Sequence, residues 1–402
     1  VISSAASDVY KRQIINSIQE ERIFSMYSEN SIEKNIFAKL LSINYVLLIL
    51  IIALFTIGIF ALLSASNGDF NSWPIKHTQR FILSIILFFF VALIDIRIIF
   101  KFAYLIFFLS ILSLVIIPFV GVESNGATRW INILGLSIQP SEFVKYTLIL
   151  ALAKYFHSIH NEDHTFLNRL IIPGTISIIP VLLVASQPDL GTALIILLGA
   201  ISIFWIVGLS YKFFVTGGII VITSLPILWQ FLKGYQKERV FTFFNPERDP
   251  LGNGYHILQS KIALGSGGIF GKGYMEGTQS HLNFLPEMQT DFIFTMFGEE
   301  FGFLGSLLLI LIYASVIGLS ISLALTCRSL FSKYLALGVC TVFFIYIFVN
   351  IGMVTGLLPV VGVPLPFISY GGSSMLAVMF GFGLLMNCYI HQNTILQKGG
   401  NI

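Results

Sequence analysis

Apolar runs of bilayer-spanning length recur along this 402-residue chain and fix the solvent in which it folds. A transmembrane helix needs about 20 predominantly apolar residues. Ten such runs are read here: Ile43–Leu63, Thr78–Ile94, Phe102–Phe119, Phe143–Tyr155, Leu170–Ala185, Thr192–Val207, Phe213–Leu232, Phe303–Leu325, Leu335–Val354 and Met375–Ile390. Soluble domains carry about 25% charged residues. This chain carries 11%, against 56% hydrophobic, which excludes a water-soluble globule. An all-α polytopic membrane protein with ten transmembrane helices is expected.

An even number of spans puts both termini on one side. Short connections facing that side hold Lys34, Lys39, Arg97, Lys101, Lys154, Arg169, Lys212, Arg328, Lys333 and Lys398; the opposite ones hold only Lys76, Arg80, Arg129 and Lys145. The positive-inside rule makes the first side the cytoplasm. Residues 14–42 are then a polar cytoplasmic lead-in and 391–402 a cytoplasmic tail. Asp8 to Gln13 spell DVYKRQ, which reads as the translated end of a sequencing-library adapter, so residues 1–13 are set aside as an artefact. A net charge of +3 is too small to imply a nucleic-acid partner. Cys327, Cys340 and Cys388 lie in or beside apolar runs and read as packing residues.

One connection is out of scale: Lys233–Gly302, about seventy residues between the seventh and eighth spans, on the extracytoplasmic side. Its aromatic content, including Tyr235, Phe241, Phe243, Phe244 and Tyr255, argues against a disordered tail. Tyr255, Leu258 and Ile262 recur at helical spacing opposite Gln259 and Ser260, as on a helix lying in the membrane interface or packed on the protein's own surface. The glycines of Gly265–Gly273 follow no strand, so a dinucleotide loop is rejected; a flexible turn offering Lys272 to phosphate is expected. His157, His160 and His164 flank a short connection beside Glu162 and Asp163 and read as a solvated loop rather than a metal site.

Polar side chains near bilayer depth are expensive and mark candidate sites. They gather at connections opening to the extracytoplasmic face: Arg129-Trp130, then Gln139-Pro-Ser141-Glu142 running into Lys145; Gln187-Pro-Asp189; and Pro364, Pro366 and Tyr370 to Gly372. Glu142 and Lys145, at i and i+3, form a salt bridge or frame a polar cavity. Arg129 is an interfacial anchor or a phosphate contact. Asp189 is a helix cap or part of a site. Asp291 stands between a polar turn and an apolar stretch, either as a cap or as a desolvated carboxylate suited to general-base work. Glu299 and Glu300 are metal ligands or complement a helix dipole.

The runs GATRWI, QPSEFVK, QPDLGTALI, NPERDPLGNGYHILQSKIALGSGGIFGKGY, HLNFLPEMQTDFIF and NIGMVTGLLPVVGVPLPFISYGGSS, in that order, resemble the SEDS family of shape, elongation, division and sporulation proteins over residues 43–390. The PVVGVPLPF and NPERDPLG wording resembles the RodA type of the elongation machinery. The resemblance implies a peptidoglycan glycosyltransferase of the bacterial cytoplasmic membrane. It would polymerise lipid II with inversion, releasing undecaprenyl pyrophosphate, beside a class B penicillin-binding protein. It places the family's essential carboxylate on Asp291, its embedded pair on Glu142 and Lys145, and its arginine on Arg129. Two positions depart from the pattern: Gln289 stands where relatives commonly have His, and Asn283 where some carry an acid. Arg129, Gln139, Ser141, Glu142, Lys145, Gln187, Asp189, Arg248, Lys261 and Lys272 are the residues expected at the substrate, and a divalent cation, magnesium or manganese, could assist the leaving group. The rival readings are a lipid-linked precursor flippase or transporter, and a noncatalytic scaffold. A transporter would place charge at the midplane of repeated halves, and neither feature is evident here.

Overall fold

The computed structural model describes residues 35–124, 127–133, 136–159, 167–231, 234–249, 252–281 and 287–396. The adapter-like residues 1–13, the lead-in before Asn35, Asn283 and the end of the tail lie outside them, as do His160 and His164. The chain divides after Ile43; the short helix α1 (Ile36–Leu41) belongs to the first unit and everything below to the second.

The second unit is helical throughout its apolar runs: α2 (Tyr45–Ala65), α3 (Trp73–Leu93), α4 (Ile96–Val120), α5 (Pro140–Ile159), α6 (Ile172–Ser186), α7 (Leu190–Val207), α8 (Tyr211–Phe231), α12 (Ile293–Thr326), α13 (Leu330–Val354) and α14 (Gly372–Ile390). Local signals set several ends. The Asn44 side chain accepts the Leu47 amide to start α2, Asp95 accepts that of Arg97 to start α4, and left-handed Gly208 closes α7. Among the described residues, eight helices are long and apolar enough to cross a membrane: α2, α3, α4, Asn168–Ser186, α7, α12, α13 and α14. The chain is a multi-pass membrane protein. The apolar part of α8, Tyr211–Ile227, is shorter, and α5 carries Glu142, Lys145 and Lys154 among its 20 residues.

The core sits around α13 and α14, whose apolar stretches are 72% and 83% buried against 17% for α4. Phe108 and Phe119 of α4 point outward, as side chains facing lipid do. The three cysteines are buried and free. His157 is buried too, its Nε2 3.2 Å from Leu396 O, which corrects its assignment to a solvated loop. An unexpected three-stranded antiparallel sheet follows α4 and corrects the all-α expectation. It comprises β1 (Val122–Ser124), β2 (Ala127–Ile133) and β3 (Leu136–Ile138), with Trp130 opposite Val122 and Ile131 opposite Ile138. Thr128, Trp130, Ile131 and Ile133 favour strands, and the intervening Asn125-Gly126 pair is a hairpin signal.

Helices occupy much of the long connection: α9 (Gly234–Phe244), a single 3₁₀ turn (Pro246–Arg248), α10 (Asn253–Ser266) and α11 (Thr278–His281). α10 packs against α12 and α13 on the protein itself. Its inner face is Ile257, Ser260 and Ala263, while Ile262 is 51% exposed. Ser260 can turn inward because its hydroxyl meets Thr295 Oγ1 and donates to Val354 O, both at 2.7 Å. The expected apolar face was therefore displaced by satisfied hydroxyls.

At Gly302, with φ 65° and ψ −161°, α12 breaks. Beyond the break, the amides of Phe303 and Leu304 donate to Gly268 O and Ile269 O at 2.9 and 3.1 Å; before it, Glu299 O and Glu300 O accept from Lys272 and Gly273 at 3.1 Å. The glycine-rich turn thus replaces the hydrogen bonds the helix loses, and is a strut rather than a flexible loop. Only glycine adopts this backbone comfortably, and an added methyl at residue 302 would sit 2.7 Å from Ile269 O. Gly302→Ala is expected to cost about 1–3 kcal/mol, seen as a lowered Tm in detergent. Gly318→Ala, whose methyl meets nothing within 4 Å, is the matched control; equal melting of the two variants would refute the strut.

Candidate functional site

Asp291 ends the turn that leads into α12. It does not cap that helix: the cap position is Phe292, and no side chain caps there. Instead the turn is clasped from outside. Gln289 O accepts the Tyr370 amide at 2.8 Å, Thr290 O accepts Ser369 Oγ at 2.5 Å, and Asp291 O accepts Asn350 Nδ2 at 3.0 Å. The first two partners lie in the Thr355–Gly371 segment between α13 and α14. Asn350 Nδ2 also donates to Val363 O in that segment, at 2.7 Å. The segment is itself anchored, since Pro366 O accepts Tyr313 Oη at 2.6 Å and Phe367 O lies 3.0 Å from His77 Nε2.

The clasp sets the Asp291 carboxylate over bare backbone. Gly362 has φ +73°, and a methyl added to it would lie 3.2 Å from Asp291 Oδ2. Desolvation pushes the Asp291 pKa up to about 7; the charge of Glu287 adds to the rise and Arg239 opposes it. The side chain keeps an opening to solvent, being only half-buried. Among the described residues it forms no ion pair. Nearby His256, whose ring is 6.3 Å from that of Phe292, has its pKa lowered chiefly by burial, against the charges of Asp249 and Glu287.

A second cluster comes from the third and fifth connections. Arg129 on β2 donates to Gln187 O at 2.9 Å and Pro188 O at 2.6 Å, and lies 4.0 Å from Asp189 Oδ2. Asp189 caps α7 through the Thr192 amide at 3.1 Å and also accepts Gln139 Nε2 at 3.0 Å. The cap reading of Asp189 therefore holds, and the same carboxylate also ties Gln139 to the start of α7. Gln187 Nε2 bonds Leu114 O at 3.0 Å. This cluster adjoins the first, because a methyl on Gly191 in the opening turn of α7 would meet Val361 O at 2.7 Å.

Glu142 and Lys145 lie within the bundle, 5% and 2% exposed, joined at 2.6 Å. Tyr346 of α13, absent from the sequence reading, donates its hydroxyl hydrogen to Glu142 and accepts from Lys145. The three groups satisfy one another, as buried charges must. Ser141 is buried beside them in sequence. The long connection holds the remaining expected residues apart. Lys272 bonds Glu299 Oε1 and Thr278 Oγ1, both at 2.7 Å, so it braces the strut instead of standing ready for phosphate. Glu300 bonds Ser64. Arg248 lies over Phe241 and 3.9 Å from Glu238, whereas Lys261 is exposed beside Gly356. Among the described residues no three His, Cys, Asp or Glu side chains converge to hold a metal, and Glu299 is engaged by Lys272.

Asn350, Tyr346 and Gly362 are the site residues that the sequence reading missed. Asn350 and Tyr346 are polar residues within an apolar span, four apart on α13, and that depth was the available signal.

This arrangement matches known proteins along most of the chain. Residues 39–394 match the family described as cell cycle protein, which groups FtsW, RodA and SpoVE. The chain is 38% identical over 359 residues to peptidoglycan glycosyltransferase MrdB of Escherichia coli K12, covering 87% of this chain and 94% of that protein. It is 36% identical over 332 residues to stage V sporulation protein E of Bacillus subtilis, covering 82% and 83%. A solved structure described as the structural coordination of polymerization and crosslinking by a peptidoglycan synthase complex aligns with TM-score 0.76 at 30% identity, over 87% of this chain and 98% of that one. The rod shape determining protein RodA of Thermus thermophilus aligns with TM-score 0.66 at 27% identity, over 87% and 97%. The chain belongs to the FtsW, RodA and SpoVE family of cell cycle proteins, as its motifs led us to expect.

Proposed function

We propose that this protein is a peptidoglycan glycosyltransferase of the bacterial cytoplasmic membrane that polymerises lipid II during cell elongation. The observation that carries the reading is the half-dry Asp291 carboxyl over Gly362, in a chain similar to a named peptidoglycan glycosyltransferase along almost its whole length. The 4-hydroxyl oxygen of one GlcNAc attacks the anomeric carbon of MurNAc on a second substrate. The carbon–oxygen bond to the pyrophosphate breaks, undecaprenyl pyrophosphate leaves with the electron pair, and the anomeric centre inverts. Asp291 takes the hydroxyl proton, a task suited to a carboxylate whose pKa lies near neutral pH. The leaving group is a weak base and needs positive charge more than a proton. Arg129 and exposed Lys261 are assigned this role. Lys145, engaged with Glu142 and Tyr346, shapes the interior instead. No step runs through a protein-held metal; magnesium or manganese would arrive on the pyrophosphate.

In this reading α5 and α8 supply the remaining two of ten spans, both termini are cytoplasmic, and the 233–302 connection is extracytoplasmic. A class B penicillin-binding protein crosslinks the product strands. The polar connections meet one another around Val361 and Gly362, as a site for a substrate headgroup requires, so a midplane transport path gains no support.

Purified protein with its penicillin-binding partner, given labelled lipid II, is expected to form glycan strands resistant to moenomycin. Asp291→Asn should lower polymerisation by about 10²-fold or more while the protein stays folded. Lipid movement without strands would favour a flippase, and strands from Asp291→Asn would remove the base assignment. The rate should also fall tenfold per pH unit below about 7, because protonation disables the base. Glu287→Gln removes a charge that raises this pKa and should move the acid limb to lower pH. An unmoved limb would contradict the electrostatic account.

A further inference from the structure

Asn350 is completely buried near the end of α13. Its amide nitrogen is shared between two chain segments distant in sequence: Asp291 O at 3.0 Å and Val363 O at 2.7 Å. Among the described residues its Oδ1, also buried, finds no hydrogen-bond partner. Leaving a buried amide oxygen unmet costs about 1–3 kcal/mol, so the residue carries a penalty that an apolar side chain would not. What sets Asn350 apart is where its donor goes: it joins the Asp291 turn to the backbone beside Gly362.

We propose that Asn350 is a positioning residue for the reaction, holding the Asp291 turn and the Thr355–Gly371 segment in one register so that the carboxylate faces Gly362. Each of its two bonds grips a carbonyl adjacent to the working geometry: that of Asp291 itself, and that of Val363 next to Gly362. The other clasps, Tyr370 to Gln289 and Ser369 to Thr290, fix the turn two residues and one residue earlier and do not touch the Asp291 carbonyl. Asn350 is the side chain that grips that carbonyl. Tyr346, one helical turn earlier, ties the same helix to the Glu142–Lys145 pair, so α13 sets the aspartate turn and the buried pair on one rigid element. Misplacement of a reacting group by about 1 Å can cost about 10²-fold in rate.

The proposal rests on the glycosyltransferase reading, and a matched pair of variants separates it from a packing role. Asn387, buried in α14, donates to three carbonyls, Val91, Ala92 and Ile94, at 3.0, 3.1 and 2.6 Å, and its Oδ1 is likewise unpaired. It lies near the far end of α14 from the Thr355–Gly371 segment. Asn350→Leu and Asn387→Leu are to be purified with the penicillin-binding partner. Turnover of lipid II per folded molecule, KM, lipid II binding and Tm are then measured beside wild type and Asp291→Asn. Asn350→Leu should lose at least about tenfold in kcat, with KM and lipid II binding within threefold of wild type; Asn387→Leu should lower Tm with kcat per folded molecule unchanged. Equal kcat in the two variants, or a loss in Asn350→Leu that tracks its folded fraction or its lipid II binding, would overturn the proposal. Should Asn350→Leu not fold, Asn350→Asp, which keeps the side-chain shape but replaces the donor, is read by the same criteria. Absence of glycan from wild type would instead defeat the glycosyltransferase reading and leave the clasp geometry untouched.

Discussion

The turn at Gln289, Thr290 and Asp291 presents three successive carbonyls, and each is met by a donor from another part of the chain. A turn beside an apolar bundle cannot leave such carbonyls dry and unpaired, because each unmet buried group costs as much as a lost hydrogen bond. Meeting two of them from the Thr355–Gly371 segment, and the third from Asn350, which also holds that segment, has a geometric consequence. The turn and the segment become one surface, and the carboxylate of Asp291 faces the segment's bare backbone at Gly362. Desolvation follows from that placement, and with it a proton affinity near neutrality.

Most other buried charge in the bundle is neutralised where it stands. Lys145 is held by Glu142 and Tyr346, and Lys272 by Glu299, while Arg129 donates to two carbonyls and lies beside Asp189. These arrangements keep ionised groups at depth without an unpaired charge. Asp291 is treated differently, since solvent reaches it and no cation pairs with it among the described residues. Its charge can therefore change during a reaction without breaking a salt bridge. The strut at Gly302 serves the same end by fixing the first turns of α12, from which the Asp291 turn hangs, against α10 and the glycine-rich turn.

Apolar periodicity made the spans legible, since burial in lipid demands long apolar helices whatever the neighbours are. Asp291, Glu142, Lys145 and Asp189 stood out because polar groups at such depth need a reason. Pairing was not legible. That Lys272 would be taken by Glu299, or Arg129 by the Gln187 and Pro188 carbonyls, depends on contacts across 27 and about sixty residues that no local pattern carries. Ser260 turned inward for the same reason, its partners being on two other helices. The sheet was a lesser omission: the Asn125-Gly126 pair and the alternating residues of β2 signal a hairpin, but apolar-run counting does not register it.

Everything in this account turns on the ionisation of one side chain, and that can be observed without substrate. Carboxyl-region difference spectra of the purified protein across pH, referenced to Asp291→Asn, isolate its titration. A midpoint near 7 is expected, well above the ordinary carboxylate range, from burial over the Gly362 backbone. A midpoint near 4 would show that the carboxylate is freely hydrated and would contradict the central claim.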